Sequence, residues 1–488
     1  MTDHSHLTTQ DISTNVGTVR GVVHHGLCVF RGLRYARACT TATRFAPPQP
    51  LEETSTLMDA RKFAAPPVQP ARSPNPENIY GNIDCLNLNI WAPESSLKTG
   101  GLPVMVWIPG GGFMRCDAND PLYDGSHFAH KDIIFVTVNY RVGVEGFLQL
   151  PGMAANRGLQ DLLLALNWVQ QHIGNFGGDP ARVTVVGQSA GSGAIACLMG
   201  MPQANGLFHQ AILQSPSTLV QTMAEAQMAA YAIADLANCP ATLEGLASIS
   251  SEKAATALAK LSLDGKLRQR YGLGAHHRFA LRPVIDGQIV ASSPLQAIKQ
   301  NNTMPKTILA GATREEARLY LVPGGSISKI SAEDVNSFIT DAKLPPNTAE
   351  RYRQQLAADK QSNGEILCAI QSDYYYREPA RRIAEHAADC GSKAYSYEFC
   401  WQSNLYEGQL GAAHGVELPF MFNNLHNDTA RHFIDVDKPV SNALVSSMHQ
   451  AWVSFAKTGE PGWPAQEKGQ RSMMLFGDGE SIERLVSY

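Results

Sequence analysis

The segment of this chain whose residue types could do chemistry is Gly187-Gln188-Ser189-Ala190-Gly191. It follows the β-branched run Arg182-Val183-Thr184-Val185-Val186, and small then apolar residues continue from Ser192 to Met199. A strand driven into a sharp turn and out into a helix holds the serine in strained dihedrals. The positions two before and two after it must be nearly free of side chain so that strand and helix can close. Gly187 and Gly191 meet that demand, so the spacing points to a serine hydroxyl used as a nucleophile.

Such a hydroxyl needs a base to take its proton, a carboxylate to fix that base, and amide donors for the oxyanion. Pro109-Gly110-Gly111-Gly112-Phe113 comes directly after the apolar run Val104–Ile108. There the absent side chains let backbone N–H groups face a bound carbonyl, and the N–H of Ala190 would complete the set. Among 15 histidines, His414 stands in the glycine-flanked stretch Gly411-Ala412-Ala413-His414-Gly415-Val416-Glu417. That is where the base belongs in a serine, acid, histidine chain order. His172, His276 and His277 are rivals that precede the expected acid. For the acid, Glu315 and Glu316 follow the short apolar run Thr307–Ala310. Adjacent side chains point in different directions, so one of the two faces the histidine, and the residues alone leave the choice open.

These groups need a sheet whose strand ends gather them. Val16 to Val23 and Leu27 to Tyr35 read as a hairpin turning at His24-His25-Gly26, followed by an irregular proline-rich stretch from Ala46 to Pro76. Strands recur at Leu86–Trp91, Pro103–Ile108 and Ile133–Asn139. Leu159, Leu162, Leu163, Leu166 and Val169 recur at helical spacing in a run that stops at Gly174. Strand, helix, strand and nucleophile helix in that order make a βαβ unit, whose parallel strands put active-site turns at their carboxyl ends. Residues 221–265 and 331–390 favour helices and read as excursions that roof the site. Lys393–Phe399 alternates as a strand, and Leu444, Met448, Ala451, Trp452 and Phe455 line a late helix ending at Gly459.

Composition narrows the class. Of the 488 residues 44% are hydrophobic and only 17% charged, which favours one large buried core. No repeat or linker divides the chain, so residues 1–488 read as a single domain. Net charge is −4 and no basic cluster long enough to track a phosphate backbone occurs, which argues against nucleic acid as a partner. The N-terminus has no basic and apolar leader pattern and no stretch reaches the length of a membrane span, so a cytoplasmic protein without a membrane partner is expected. Nine cysteines cannot all pair internally and none forms C-x-x-C, which leaves reduced thiols as the expectation. No metal or nucleotide motif occurs, and the chemistry needs no cofactor.

The chain resembles the type-B carboxylesterases, the α/β-hydrolase group that includes bacterial para-nitrobenzyl esterases and the cholinesterases. The likeness runs nearly end to end. It includes Phe30-Arg31-Gly32-Leu33-Arg34-Tyr35-Ala36, Arg44-Phe45-Ala46-Pro47-Pro48, the stretch Asp84 to Pro93, Asn139-Tyr140-Arg141 and Asn175-Phe176-Gly177-Gly178-Asp179-Pro180. The resemblance implies a large, mostly parallel sheet flanked by helices, with helical excursions over the active site. It implies Ser189 as nucleophile, His414 as base and Glu316 as acid. Gly111, Gly112 and Ala190 would be the oxyanion donors, and Ser215 and Glu417 would brace the triad. The implied reaction is hydrolysis of small-molecule carboxylic esters through an acyl-enzyme. The same triad would also serve amide, carbamate or thioester cleavage, and a non-catalytic binding protein of the same fold is the other reading. Pro109 replaces a histidine common in the family, Val144-Glu145 replaces an apolar pair, and the Pro-Pro common after Tyr-Ala is missing at Arg37-Ala38. No tryptophan precedes Trp91, which disfavours choline esters.

Overall fold

The structure is a computed structural model that describes residues 8–14, 17–52, 56–273, 279–300, 305–467, 472–479 and 481–487. Twelve of the strands, numbered in chain order, form the path of one large sheet. They are β1 (Thr8–Thr14), β2 (Gly17–His24), β3 (Leu27–Arg34), β4 (Asn87–Pro93), β5 (Leu102–Ile108), β6 (Ile134–Val138), β7 (Gly178–Gln188), β8 (Gln210–Gln214), β9 (Thr307–Thr313), β10 (Lys393–Phe399), β11 (Ser472–Asp478) and β12 (Ser481–Ser487). All lie in one sheet, in the order β1-β2-β3-β4-β6-β5-β7-β8-β9-β10-β11-β12, with the three-residue strand Leu57–Asp59 alongside β2. From β6 to β11 every neighbouring pair is parallel, whereas β1 to β4, the β4–β6 pair and β11–β12 are antiparallel. This is the α/β-hydrolase architecture, a parallel centre with antiparallel flanks.

Alternation along the parallel strands builds a core on each face. Val104, Val106, Ile108, Val183, Val185 and Leu213 enter one, and Met105, Trp107, Val186 and Ile212 the other. Helix α1 (Arg157–His172) connects β6 to β7 and buries Leu159, Leu162, Leu166 and Val169 in the first core. The late helix Asn442–Thr458 buries Leu444, Met448, Trp452 and Phe455 in the second, and ends at Gly459, whose φ of +78° is left-handed. Gly187, Leu213, Ala310 and Ser396 stand side by side across four strands, so the turns leaving β7, β8, β9 and β10 open at one edge.

Four of these strands escaped the sequence reading, β1, β8 and the C-terminal pair β11 and β12. β1 is a polar edge strand with mostly exposed side chains, and β8 is only five residues long. Val16 of the expected hairpin lies outside the described residues. The hairpin turn at His24-His25-Gly26, α1 and the late helix fall where the periodicity placed them, and helices fill both expected excursions. All nine cysteines are free. Among the described residues no helix is long and apolar enough to cross a membrane.

Buried charges tie the turn after β6 to its surroundings. The Arg141 guanidinium pairs with Asp161 of α1 at 2.7 Å and donates to Ala46 O at 2.8 Å. Arg44 pairs with Glu145 at 2.7 Å, so the polar residue that departs from the family pattern has a buried cation to itself. Arg157, fully buried, donates to four backbone carbonyls, Glu145 O, Ala154 O, Val144 O and Leu148 O, at 2.6–3.0 Å. The neighbouring Tyr140 hydroxyl donates to Pro109 O at 2.9 Å and so pins the glycine loop after β5.

Candidate active site

Ser189 sits between β7 and helix α2 (Ala190–Met199) with φ 58° and ψ −122°, a conformation that costs a non-glycine residue about 1–3 kcal/mol. Tight packing holds it there. A Cβ on Gly191 would lie 2.0 Å from Ile108 O, and one on Gly187 would lie 2.7 Å from Gly191 C. The Ser189 N–H donates to Gln214 O at 2.9 Å, which anchors the turn to β8.

The loop Gly110-Gly111-Gly112 runs past this turn, with Gly111 at φ +133° and Gly112 at φ +64°. A side chain on any of the three would collide, Gly110 with Gln188 O, Gly111 with Arg115 O and Gly112 with the Phe279 ring. Two hollows meet at Ser189. The smaller is narrow and is lined by Gly112, Phe113, Ala190, Phe279 and Arg282. The larger is an open cleft whose walls include Gly111, Gln188, Tyr320 and His414. Of the aromatic residues near the motifs, Phe113 reaches the smaller hollow, whereas Phe399 and Phe420 are buried in the second core.

His414 and Glu316 come together although 98 positions separate them. Glu316 is fully buried, and its Oε2 takes the His414 Nδ1–H in a short contact. Its Oε1 accepts from Ser215 Oγ at 2.6 Å and from Thr313 N at 2.7 Å. Ser215 itself has a positive φ, 46°, and donates its N–H to Gly311 O at 2.7 Å. With Nδ1 protonated toward the carboxylate, Nε2 carries the lone pair, and the Gln188 amide Nε2 donates to it at 3.1 Å. Among the described residues no hydrogen bond joins the Ser189 hydroxyl to the imidazole, although both line the same cleft. Such bonds often tighten only around substrate.

Glu315 points elsewhere. Its carboxylate contacts Lys360 at 2.9 Å and Arg318 at 3.0 Å and accepts from Ala412 N at 3.2 Å. Burial would raise its pKa, but the Arg318 and Lys360 charges outweigh it and hold the group at about 2. Glu417 is fully buried and bonds Gln214 Nε2 at 3.3 Å, with its other oxygen unpartnered, so it touches neither Glu316 nor His414 by a hydrogen bond. Burial, reinforced by the nearby Glu316 charge, pushes it up to about 8. His172 is buried against Trp168 at the end of α1, while His276 and His277 lie outside the described residues.

Sequence reasoning missed several neighbours of the imidazole. Tyr376 stacks on it with ring centroids 4.2 Å apart, and its hydroxyl is 2.6 Å from that of Tyr320. Tyr376 comes from a single π-helical turn, Asp373–Arg377, inserted between two α-helices. Such a turn shifts the facing residue off the 3.6 period, so no periodic signal announces it. Gln188 offered a signal, since the residue before the nucleophile is bound to lie beside the base.

Comparisons with known proteins show what the whole chain is similar to. The chain is 31% identical to the para-nitrobenzyl esterase of Bacillus subtilis, over 98% of this chain and 96% of that protein. It is 32% identical to the phenmedipham hydrolase of Pseudarthrobacter oxydans, over 95% and 94%. A solved carboxylesterase of Geobacillus stearothermophilus superposes with a TM-score of 0.85 at 30% identity, covering 98% of this chain and 97% of its own. Since the sequence model of the carboxylesterase family also matches residues 8–475, the chain belongs to that family.

Proposed function

We propose that this protein hydrolyses carboxylic esters of small molecules through an acyl-enzyme on Ser189, in one unit formed by residues 1–488. The observation that carries the reading is the buried Glu316–His414 contact at the strand edge where Ser189 heads α2. Glu316 fixes the tautomer and orientation of His414, helped by Ser215 and Thr313 N, so that Nε2 faces the cleft as a base. When a substrate carbonyl settles beside Gly111, Gly112 and Ala190, Nε2 exchanges its Gln188 partner for the Ser189 hydroxyl.

Ser189 Oγ then bonds to the carbonyl carbon as its proton passes to Nε2, and the three N–H groups receive the negative oxygen. The bond to the alcohol oxygen breaks, and that oxygen takes the proton from the imidazolium. Water next attacks the acyl-enzyme, giving a proton to Nε2, and the carboxylic acid leaves as Ser189 is reprotonated. Relatives named as esterases support the ester bond as the target.

The test is Ser189→Ala. Turnover of a p-nitrophenyl ester should fall about 10⁵-fold or more with the urea midpoint unchanged, and a fluorophosphonate should label wild type at Ser189 alone. Turnover within tenfold of wild type would remove Ser189 from the reaction. Matched ester and anilide substrates separate ester from amide hydrolysis.

A further inference from the structure

Arg282 leads out of the first excursion in Phe279-Ala280-Leu281-Arg282-Pro283. It is 2% exposed and lines the smaller hollow together with Ser189, Gly112 and Ala190. Its Nη1 donates to Phe279 O at 3.1 Å, but Nε and Nη2 are buried without an acceptor. Among the described residues no carboxylate stands within ion-pair distance of it. Glu225, whose field reaches the guanidinium, caps the helix Met223–Leu236 by accepting from Thr222 N at 2.7 Å. Burial lowers Arg282 to about 10, which still leaves it protonated at neutral pH.

This protein otherwise compensates its deep arginines. Arg141 has Asp161, Arg44 has Glu145, and Arg157 has four carbonyls. A guanidinium with donors left over, buried beside the nucleophile, is arranged for an acceptor that arrives with the substrate.

Which part of the substrate brings that acceptor follows from the two hollows. The leaving alcohol must face the imidazole that protonates it, and His414 lines the larger cleft. The acyl chain is therefore directed into the smaller hollow, toward Arg282. We infer that Arg282 is a specificity residue that receives a carboxylate on the acyl chain, so that the preferred substrates are half-esters of short dicarboxylic acids. The inference rests on the esterase reading above. A planar guanidinium meeting a carboxylate with two parallel N–H groups is the strongest such pairing available to a side chain.

The test compares monoethyl succinate, glutarate and adipate with ethyl butanoate, pentanoate and hexanoate, following acid release at constant pH. In wild type, kcat/KM for the half-ester should exceed that of its neutral partner at least tenfold for one or more lengths. In Arg282→Met that ratio should fall at least tenfold, with Arg282→Lys in between. A ratio below ten at every length in wild type, or a fall of less than tenfold in Arg282→Met, overturns the inference. Binding supplies a second readout. Millimolar free adipate or glutarate should raise the melting temperature of wild type and not of Arg282→Met, and equal shifts in both would count against the assignment. Where Arg282→Met fails to fold, the wild-type ratio decides alone. Turnover of neutral esters that Ser189→Ala abolishes keeps the esterase reading intact whichever way the ratio falls, and no turnover of any ester by wild type overturns that reading instead.

Discussion

Two regions of this molecule bury charge, and they do so in opposite ways. Behind the turn after β6, Arg44, Arg141 and Arg157 are matched by Glu145, Asp161 and four carbonyls. Around Ser189, Glu417 has an oxygen without a donor and Arg282 has two nitrogens without an acceptor. A matched buried pair costs dearly only when one partner is removed, and in the folded state it has nothing left to offer a ligand. Groups with unused hydrogen-bonding capacity keep something to offer a ligand, which is the basis of the role proposed for Arg282. The difference separates the part of the protein that specifies shape from the part that uses it.

The contrast is sharpest in the rate. Glu316→Gln should lower kcat by about 10⁴-fold while leaving the urea midpoint nearly unmoved, because the amide favours the wrong imidazole tautomer. Glu315→Gln, one residue away, should leave kcat within about threefold, since its carboxylate faces Arg318 and Lys360 rather than His414. Equal losses in the two variants would break the division at its centre.

The matched region should respond in the other currency. Asp161→Ala leaves Arg141 buried without its anion and should cost about 3–5 kcal/mol in urea unfolding, with kcat per folded molecule preserved. A variant with full stability would show that the carbonyls of Arg44 and Ala46 suffice for Arg141.

Glu417 provides a test by pH rather than by rate. Its folded-state pKa is about 8, against the ordinary 4.5 that serves for the unfolded chain. Between those values the native state holds a proton that the unfolded state releases. The stability from this group is therefore complete below 4.5 and is lost as pH rises through 8, by at most about 1.4 kcal/mol per pH unit. Glu417→Gln should flatten that slope in urea unfolding measured from pH 5 to 8. A slope unaffected by the change would place the ionising group elsewhere.

Much of the site was legible because its constraints are steric and therefore written in glycine. Gly187 and Gly191 leave room for Ser189, and Gly110 to Gly112 leave room for Gln188, Arg115 and Phe279. Most of the parallel strands were legible because both faces are buried, so their apolar runs stand out against the turns, whereas β8, with only three apolar residues between two glutamines, was too short to stand out. β1 was not, since an exposed edge of Thr, Gln, Asp and Ser has no core face to mark it. The choice between Glu315 and Glu316 depends on which carboxylate the turn after β9 presents to Ser215 and His414, a contact made across 98 residues. Tyr376 reaches the imidazole through a π-helical turn with no periodic signature. Arg282 reads in sequence as an ordinary surface cation, and only its burial beside the nucleophile gives it meaning.

Because His414 follows β10, the imidazole of the proposed site is drawn from late in the 488-residue chain. During synthesis the serine and its glycine loop leave the ribosome long before the imidazole exists. On the mechanism proposed above, a polypeptide that ends before position 414 would lack its base, and hydrolysis would begin only once β10 and the turn after it are in place. The order in which the chain emerges would then keep a half-built enzyme from acting on whatever ester is near.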